Sequence, residues 1–140
     1  MTRDSLAAPV PFSLGTLAPR STVPAGACDC HVHVYDQRFP AAPGAKLLPP
    51  DASASDYRAL QRRIGTQRTV LVTPSTYGAD NRCMLQGLAA LGGQARGVAV
   101  IDGRESDAQL QALHDAGVRG VRLNLSLGVT GSVDSILPLA

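Results

Sequence analysis

Two histidines stand two positions apart, His31 and His33, in the segment CDCHVHVYD at residues 28–36. The valines and the tyrosine of this segment favour an extended strand. Side chains alternate between the two faces of a strand, so Asp29, His31 and His33 are expected on one face. Two imidazoles on one face converge on a point, and neutral imidazole is a common metal ligand. The pair predicts a catalytic or metal site.

Two alternatives exist for this segment. The sulfurs of Cys28 and Cys30 would complete a zinc site, but alternation places them on the opposite face, and no second cysteine pair follows at zinc-finger spacing. The histidines can also be ordinary polar residues at a strand end. A paired arrangement near the start of an alternating α/β chain favours the site.

A second group of polar side chains follows the β-branched run at 69–73, in the segment PSTYGADNR at residues 74–82. Ligand-binding groups collect where a strand ends and a helix begins in α/β proteins. Asp80 is interpreted as the N-cap of the following helix. The candidate substrate-binding residues here are Ser75, Tyr77, Asn81 and Arg82.

A charged residue interrupts the last predicted strand, at 118–125. Apolar residues alternate with Arg122 and Asn124, which share the other face. A charge inside a covered strand needs a partner or a ligand. A guanidinium can bind a carboxylate through two hydrogen bonds, so Arg122 and Asn124 are predicted to contact substrate. The alternative is an internal ion pair, for example between Arg122 and Asp29.

Strands alternate with helices along the chain. Strands are predicted at 27–35, 69–73, 97–101 and 118–125, and helices at 55–64, 81–91 and 107–116, with a fourth helix starting near Ser132. Ser55 is expected to cap the first helix and Gly65 to end it. Leu110 and Leu113 are expected on the core face of the third. Residues 1–26, rich in proline, predict an irregular leader, and 27–140 the domain.

Such alternation implies parallel strands joined by right-handed crossovers. Two architectures fit, an open doubly wound sheet and the N-terminal half, about four β/α units, of a (β/α)8 TIM barrel. A complete barrel needs about 250 residues. A central strand of an open sheet is apolar on both faces, so the inward Arg122 and the polar cluster at the strand ends favour the half barrel.

Composition excludes several function classes. The formal net charge is +2 and no basic run interleaves with aromatic residues, which argues against nucleic-acid binding. Three cysteines suit a reducing compartment. No apolar run approaches the length of about 20 residues that spans a bilayer. We therefore expect a cytoplasmic protein that binds a small molecule, with no nucleic-acid or membrane partner.

The segment 28–36, followed by Arg38-Phe39-Pro40, resembles the opening of the amidohydrolase-related TIM-barrel hydrolases, in the branch of the pyrone dicarboxylate lactonases. Three further segments resemble the same branch in the same order, and the resemblance runs from about residue 27 to about residue 127. These segments are 77–81, 96–100 and 117–124.

The resemblance implies hydrolysis of a lactone, ester or amide of a carboxylate-bearing compound. His31 and His33 would match a pair that binds a divalent metal such as zinc or, without metal, polarises the substrate directly. Ser75, Tyr77, Asn81 and Arg122 would match substrate-contacting positions.

The family places further histidines and a water-activating aspartate in the second half of the barrel. The 140-residue chain is therefore expected to be inactive by itself, with exposed strand edges that favour self-association. Two other functions stay open: a carboxylate-binding domain without chemistry, and an open-sheet interaction module.

Overall fold

A computed structural model describes residues 17–124, where four strands alternate with three helices. The strands are β1 Cys28–Val32, β2 Arg68–Val72, β3 Ala95–Ala99 and β4 Val118–Val121. The helices are α1 Ala54–Ile64, α2 Arg82–Leu91 and α3 Asp107–Asp115. Single 3-10 turns, Ser75–Tyr77 and Gly92–Gln94, follow β2 and α2. Among these helices, none combines the length and apolar character that crossing a membrane requires.

The strands form one parallel sheet in the order β1-β2-β3-β4. Each strand pairs with the next one in sequence, so within residues 17–124 the winding never reverses direction. A doubly wound sheet reverses at a switch point, whereas a barrel adds its strands in one direction. Right-handed crossovers then place all three helices on one face, and α1 packs against α2. The fold is the N-terminal half of a (β/α)8 barrel, and the doubly wound alternative is wrong.

The N-cap of the first helix lies two residues earlier than predicted. Ser53, not Ser55, is the N-cap, because it forms a capping box with Asp56. The Ser53 hydroxyl accepts the N–H of Asp56 at 3.2 Å, and the Asp56 carboxylate accepts the N–H of Ser53 at 2.8 Å. Gly65 ends the helix at a φ of 88°, as predicted, since this left-handed conformation suits glycine.

A β-bulge in β1 corrects one predicted side-chain direction. The pairing with β2 steps from Asp29 opposite Thr69 to Val32 opposite Leu71, so β1 has one extra residue. Asp29 therefore points to the helix side, where its carboxylate accepts a hydrogen bond from the Tyr57 hydroxyl of α1 at 3.2 Å. Asp29 does not share a face with the histidines, and the alternative of an ion pair between Asp29 and Arg122 loses its basis.

The third helix is the least covered of the three. None of its residues is buried, and Leu110, predicted on its core face, is 41% exposed. Val121 in the adjacent β4 is 47% exposed. Both line an open groove between α3 and β4. The predicted fourth strand is too long, because β4 ends at Val121, and Arg122 and Asn124 follow the strand instead of lying inside it. Residue 125 and the predicted fourth helix lie outside the described residues, and self-association through strand edges stays a prediction.

Gly97 of β3 lies where α2 packs most closely on the sheet. A Cβ there would lie 2.8 Å from Leu88 Cδ1, 2.9 Å from Met84 Sδ and 3.1 Å from Val118 Cγ2. Gly97→Ala is therefore expected to lower the free energy of unfolding by about 1–3 kcal/mol through overpacking, measured by urea denaturation. Gly93→Ala is the control, since its Cβ would meet nothing within 4 Å. Equal stability of the two variants would contradict the packing of α2.

Candidate active site

Two neighbouring carbonyls at the end of β2 hold the two most important predicted side chains. The carbonyl of Val72 lies 2.8 Å from Nδ1 of His33, and the carbonyl of Thr73 accepts a hydrogen bond from Nη1 of Arg122 at 3.0 Å. The N–H of Arg122 donates to the carbonyl of Ala99 at 2.8 Å, which fixes its backbone beside β3. His33, just after β1, and Arg122, just after β4, thus both lie at the carboxyl edge of the sheet, where barrel enzymes have their active sites.

The hydrogen bond to Val72 determines the tautomer of His33. A carbonyl oxygen only accepts, so Nδ1 carries the proton and Nε2 of a neutral ring carries the lone pair. Burial lowers the pKa of His33, and the positive charges of His31 and Arg122 lower it further, while the bond to Val72 opposes the shift. At neutral pH His33 is therefore an acceptor or a metal ligand through Nε2.

His31 lies beside His33 and is exposed. The two ring centroids are 5.0 Å apart and the planes meet at 81°. The bulge in β1 leaves both imidazoles on the same side, so the structure brings together the pair that the sequence predicted.

The depressed pKa of His33 gives the fold an acid sensitivity. The unfolded chain binds a proton near pH 6.5, the ordinary value, whereas the folded chain binds it only at lower pH. Stability is therefore fully present above about pH 6.5 and falls as the pH drops towards the folded value. Thermal melts between pH 7.5 and 5 are expected to show a larger fall in Tm for the wild type than for His33→Gln. Parallel Tm curves would contradict this assignment.

The 3-10 turn after β2 carries Ser75 and Tyr77. Ser75 is half-buried at the start of the turn. Tyr77 is only 5% exposed, and its hydroxyl accepts the N–H of Asp36 at 2.9 Å and donates to the carbonyl of Asp36 at 3.2 Å. Burial raises the pKa of Tyr77 well above its usual range. Tyr77 holds the loop that follows β1, and its substrate contact stays a prediction.

Asn81 joins the ends of two strands. Its Oδ1 accepts hydrogen bonds from the Thr73 hydroxyl at 2.7 Å and from the N–H of Val100 at 2.9 Å. Its Nδ2 donates to the carbonyl of Val100 at 2.8 Å. The side chain predicted to contact substrate is thus built into the scaffold between β2 and β3, close to the carbonyl that holds Arg122.

The two remaining candidates lie at opposite extremes of exposure. Asn124 is buried, with 7% of its surface accessible. The side chain of Arg82 is 65% exposed and pairs with Asp80 at 2.6 Å, with its guanidinium carbon 5.8 Å from the centroid of the Phe39 ring. Asp80 also accepts the N–H of Arg82 at 3.0 Å, but the N-cap of α2 is Asn81, so the interpretation of Asp80 as the N-cap is wrong. Arg82 lies at the surface, away from the bonds that hold His33 and Arg122.

Sequence reasoning missed one residue of the site, Tyr35. Its ring centroid lies 6.1 Å from that of His33. Burial raises the pKa of its hydroxyl, and the positive charge of Arg122 partly opposes the rise. Positions 31, 33 and 35 have the spacing of one strand face, and this pattern identifies Tyr35 alongside the two histidines.

The histidine pair fits part of a metal site. The lone pair on Nε2 of His33 suits a divalent ion, and His31 lies at the right distance to add a second imidazole. Within residues 17–124 no group of three or more histidine, cysteine or acidic side chains is placed to hold a metal. Any further ligand would come from outside this range.

The half barrel brings His31 of β1, His33 just after β1 and Arg122 just after β4 to one edge of the sheet. Residues 28–134 match the family described as amidohydrolase. The match covers more than half of the 140 residues. This chain belongs to the amidohydrolase family, as the resemblance of its motifs predicted.

Two curated relatives are lactone-ring hydrolases by name. The chain is 49% identical over 108 residues to 2-pyrone-4,6-dicarboxylate hydrolase of Comamonas testosteroni, a match covering 76% of this chain and 35% of the relative. It is 34% identical over 102 residues to 4-sulfomuconolactone hydrolase of Rhizobium radiobacter, covering 71% of this chain and 34% of the relative. The chain therefore spans about a third of the length of these relatives.

A solved structure matches the fold. The crystal structure of a probable 2-pyrone-4,6-dicarboxylic acid hydrolase from Acinetobacter baumannii, with citric acid bound, gives a TM-score of 0.73 at 25% identity. The match covers 81% of this chain and 42% of that chain. The four strands and three helices thus correspond to part of a longer hydrolase fold.

Proposed function

We propose that this chain supplies the first half of the active site of a hydrolase that opens a lactone, ester or amide bond in a small carboxylate-bearing compound. One observation carries the proposal: adjacent carbonyls, Val72 and Thr73, hold an imidazole and a guanidinium at the same edge of the sheet. The names of the relatives support the lactone class, and the citric acid bound to one of them supports a ligand with several carboxylates.

Arg122 is assigned to the substrate carboxylate. A guanidinium has five N–H donors, and Thr73 uses one of them in a bond that fixes the orientation of the group. A charge-assisted bond from a fixed, half-buried donor is roughly twice as strong as a neutral one. Arg122 therefore orients the substrate with its reacting carbonyl towards the histidines.

His33 is assigned to the reacting centre as an acceptor. Because its Nδ1–H is bound to Val72 and its ring stays neutral at pH 7, Nε2 takes a proton or holds a metal. It has no second N–H to donate, so direct polarisation of the substrate carbonyl by neutral His33 is not proposed. That task falls to a cation or to another donor, with His31 adjacent.

If a divalent metal such as zinc binds, His31 and His33 would hold it, and it would stabilise the negative charge that develops on the attacked oxygen. Without metal, the same charge would be stabilised by N–H donors of the protein. With or without a metal, Arg122 binds the carboxylate of the substrate. A metal requirement and a cytoplasmic location stay predictions.

The test uses the protein encoded by the complete reading frame that contains these 140 residues. Bound metal and hydrolysis of a panel of lactones are measured together. His31→Ala and His33→Ala are each expected to lower kcat/KM by about 10²- to 10⁴-fold, the usual range for proton-transfer groups. His114→Ala, an exposed histidine on α3, is the control and should retain full activity.

A folded protein that binds a carboxylate without turnover would favour the alternative of a binding domain without chemistry. A protein with neither turnover nor carboxylate binding would contradict the proposal. The 140-residue chain alone is predicted to show no turnover above its own His31→Ala variant.

A further inference from the structure

Four aromatic rings form a continuous row along the site. The centroids of His31 and His33 are 5.0 Å apart, those of His33 and Tyr35 are 6.1 Å apart, and those of Tyr35 and Tyr77 are 6.3 Å apart. The row runs from the exposed His31 to the buried Tyr77. Tyr35 is therefore the ring between the reacting imidazoles and the core.

Tyr35 is held by backbone hydrogen bonds and by the neighbouring ring of Tyr77. Its N–H donates to the carbonyl of Ala52 and its carbonyl accepts the N–H of Ala52, both at 2.9 Å. Tyr77, which packs behind it, has its hydroxyl bound to both backbone groups of Asp36. A ring held in this way keeps one orientation at little entropic cost, which is a requirement for selective binding.

Tyr35 lies at the same end of the sheet as the two groups that are assigned to the substrate, His33 and Arg122. A substrate with its carboxylate on Arg122 and its carbonyl at the histidines has the rest of its body near Tyr35, because the Tyr35 ring neighbours His33, and Arg122 is held by the carbonyl next to the one that holds His33. Tyr35 is half-buried. Aromatic rings pair with one another in offset or edge-to-face geometry, which adds to simple burial.

We propose that Tyr35 is a specificity-determining residue whose ring packs against a planar, unsaturated ring of the substrate and disfavours a puckered, saturated one. The proposal rests on the proposed function, because it needs a carboxylate bound to Arg122. It goes beyond that function by assigning the selection of a planar ligand ring to one side chain.

Isothermal titration calorimetry on the complete reading-frame product tests the proposal with two matched probes. Benzene-1,3-dicarboxylate is planar, and cis-cyclohexane-1,3-dicarboxylate has the same carboxylate positions on a puckered ring. We expect the wild type to bind the planar probe about 3- to 10-fold more tightly, the range of aromatic pairing converted to affinity. Tyr35→Phe should keep this preference, and Tyr35→Leu should lose it while changing the affinity of the cyclohexane probe by less than about twofold.

A second measurement needs no variant. The aromatic proton resonances of Tyr35 should shift when the planar probe binds, through its ring current, and should shift much less with the cyclohexane probe. Equal affinity of the wild type for both probes, or an unchanged preference in Tyr35→Leu, would overturn the assignment of Tyr35 alone. A wild type that binds neither probe would instead contradict the carboxylate site at Arg122, and with it the proposed function.

Discussion

Arg122→Ala is expected to weaken binding of citrate or 2-pyrone-4,6-dicarboxylate to the complete reading-frame product by about 100-fold. The guanidinium is half-buried and oriented by the carbonyl of Thr73. Hydrogen bonds that involve a charged group contribute about 1.5–3 kcal/mol, and about 1.4 kcal/mol corresponds to a tenfold change in affinity. Loss of a two-bond contact with a carboxylate therefore predicts an effect of this size, measured by titration calorimetry.

Two control variants isolate the cause. Arg122→Lys keeps the charge but loses the planar donor pair, so its affinity should lie between those of the wild type and Arg122→Ala. Arg119→Ala removes an arginine near the start of β4, whose guanidinium donates to the carbonyl of His114 at 2.6 Å. Its affinity should equal that of the wild type. Equal weakening by Arg119→Ala and Arg122→Ala would point to net charge and contradict a specific carboxylate site.

The loss of Arg122 has a second, independent signature at His33. The charge of Arg122 is one cause of the depressed pKa of His33. In Arg122→Ala the pKa of His33 should rise towards its ordinary value of 6.5, which NMR titration of the imidazole protons would detect. This shift needs no ligand, so it tests the placement of the two groups separately from substrate binding.

Much of the fold could be predicted because each signal is local. Glycine in the left-handed position ends α1 at Gly65, since this signal depends on neighbouring residues alone. The choice between half barrel and doubly wound sheet followed from Arg122 and the polar cluster at the strand ends, although β4 ends at Val121 and Arg122 follows it. The sheet order confirms that choice.

The errors have a different origin, since they depend on contacts between distant segments. The bulge in β1 turns Asp29 towards Tyr57, 28 positions away, and nothing within the segment 28–36 marks the extra residue. Leu110 is exposed because nothing in residues 17–124 covers α3 and β4. The polar segment at 74–82 also contains two kinds of residue that composition cannot distinguish. Some face a site, and others form hydrogen bonds that hold the strand ends together.

Asn81 is the sharpest case of that ambiguity, and Asn81→Ala is expected to destabilise the protein by about 2–4 kcal/mol. The substitution leaves Val100, 2% exposed, without partners for its N–H and carbonyl, and Thr73, fully buried, without an acceptor for its hydroxyl. A buried polar group that loses its partner costs about 1–3 kcal/mol. Urea denaturation measures the effect, and Thr73→Val, which removes only one of these bonds, should have a smaller one.

Gln86→Ala is the matched control, because it removes another amide side chain from the exposed face of α2 and should leave stability nearly unchanged. The comparison decides the role of Asn81. If Asn81→Ala unfolds at lower urea than Gln86→Ala, Asn81 is part of the scaffold, and any loss of ligand binding passes through Thr73 and the carbonyl that orients Arg122. If Asn81→Ala is as stable as the wild type but binds dicarboxylates weakly, Asn81 contacts the ligand directly, as the sequence predicted, and its bonds to Val100 give way on binding.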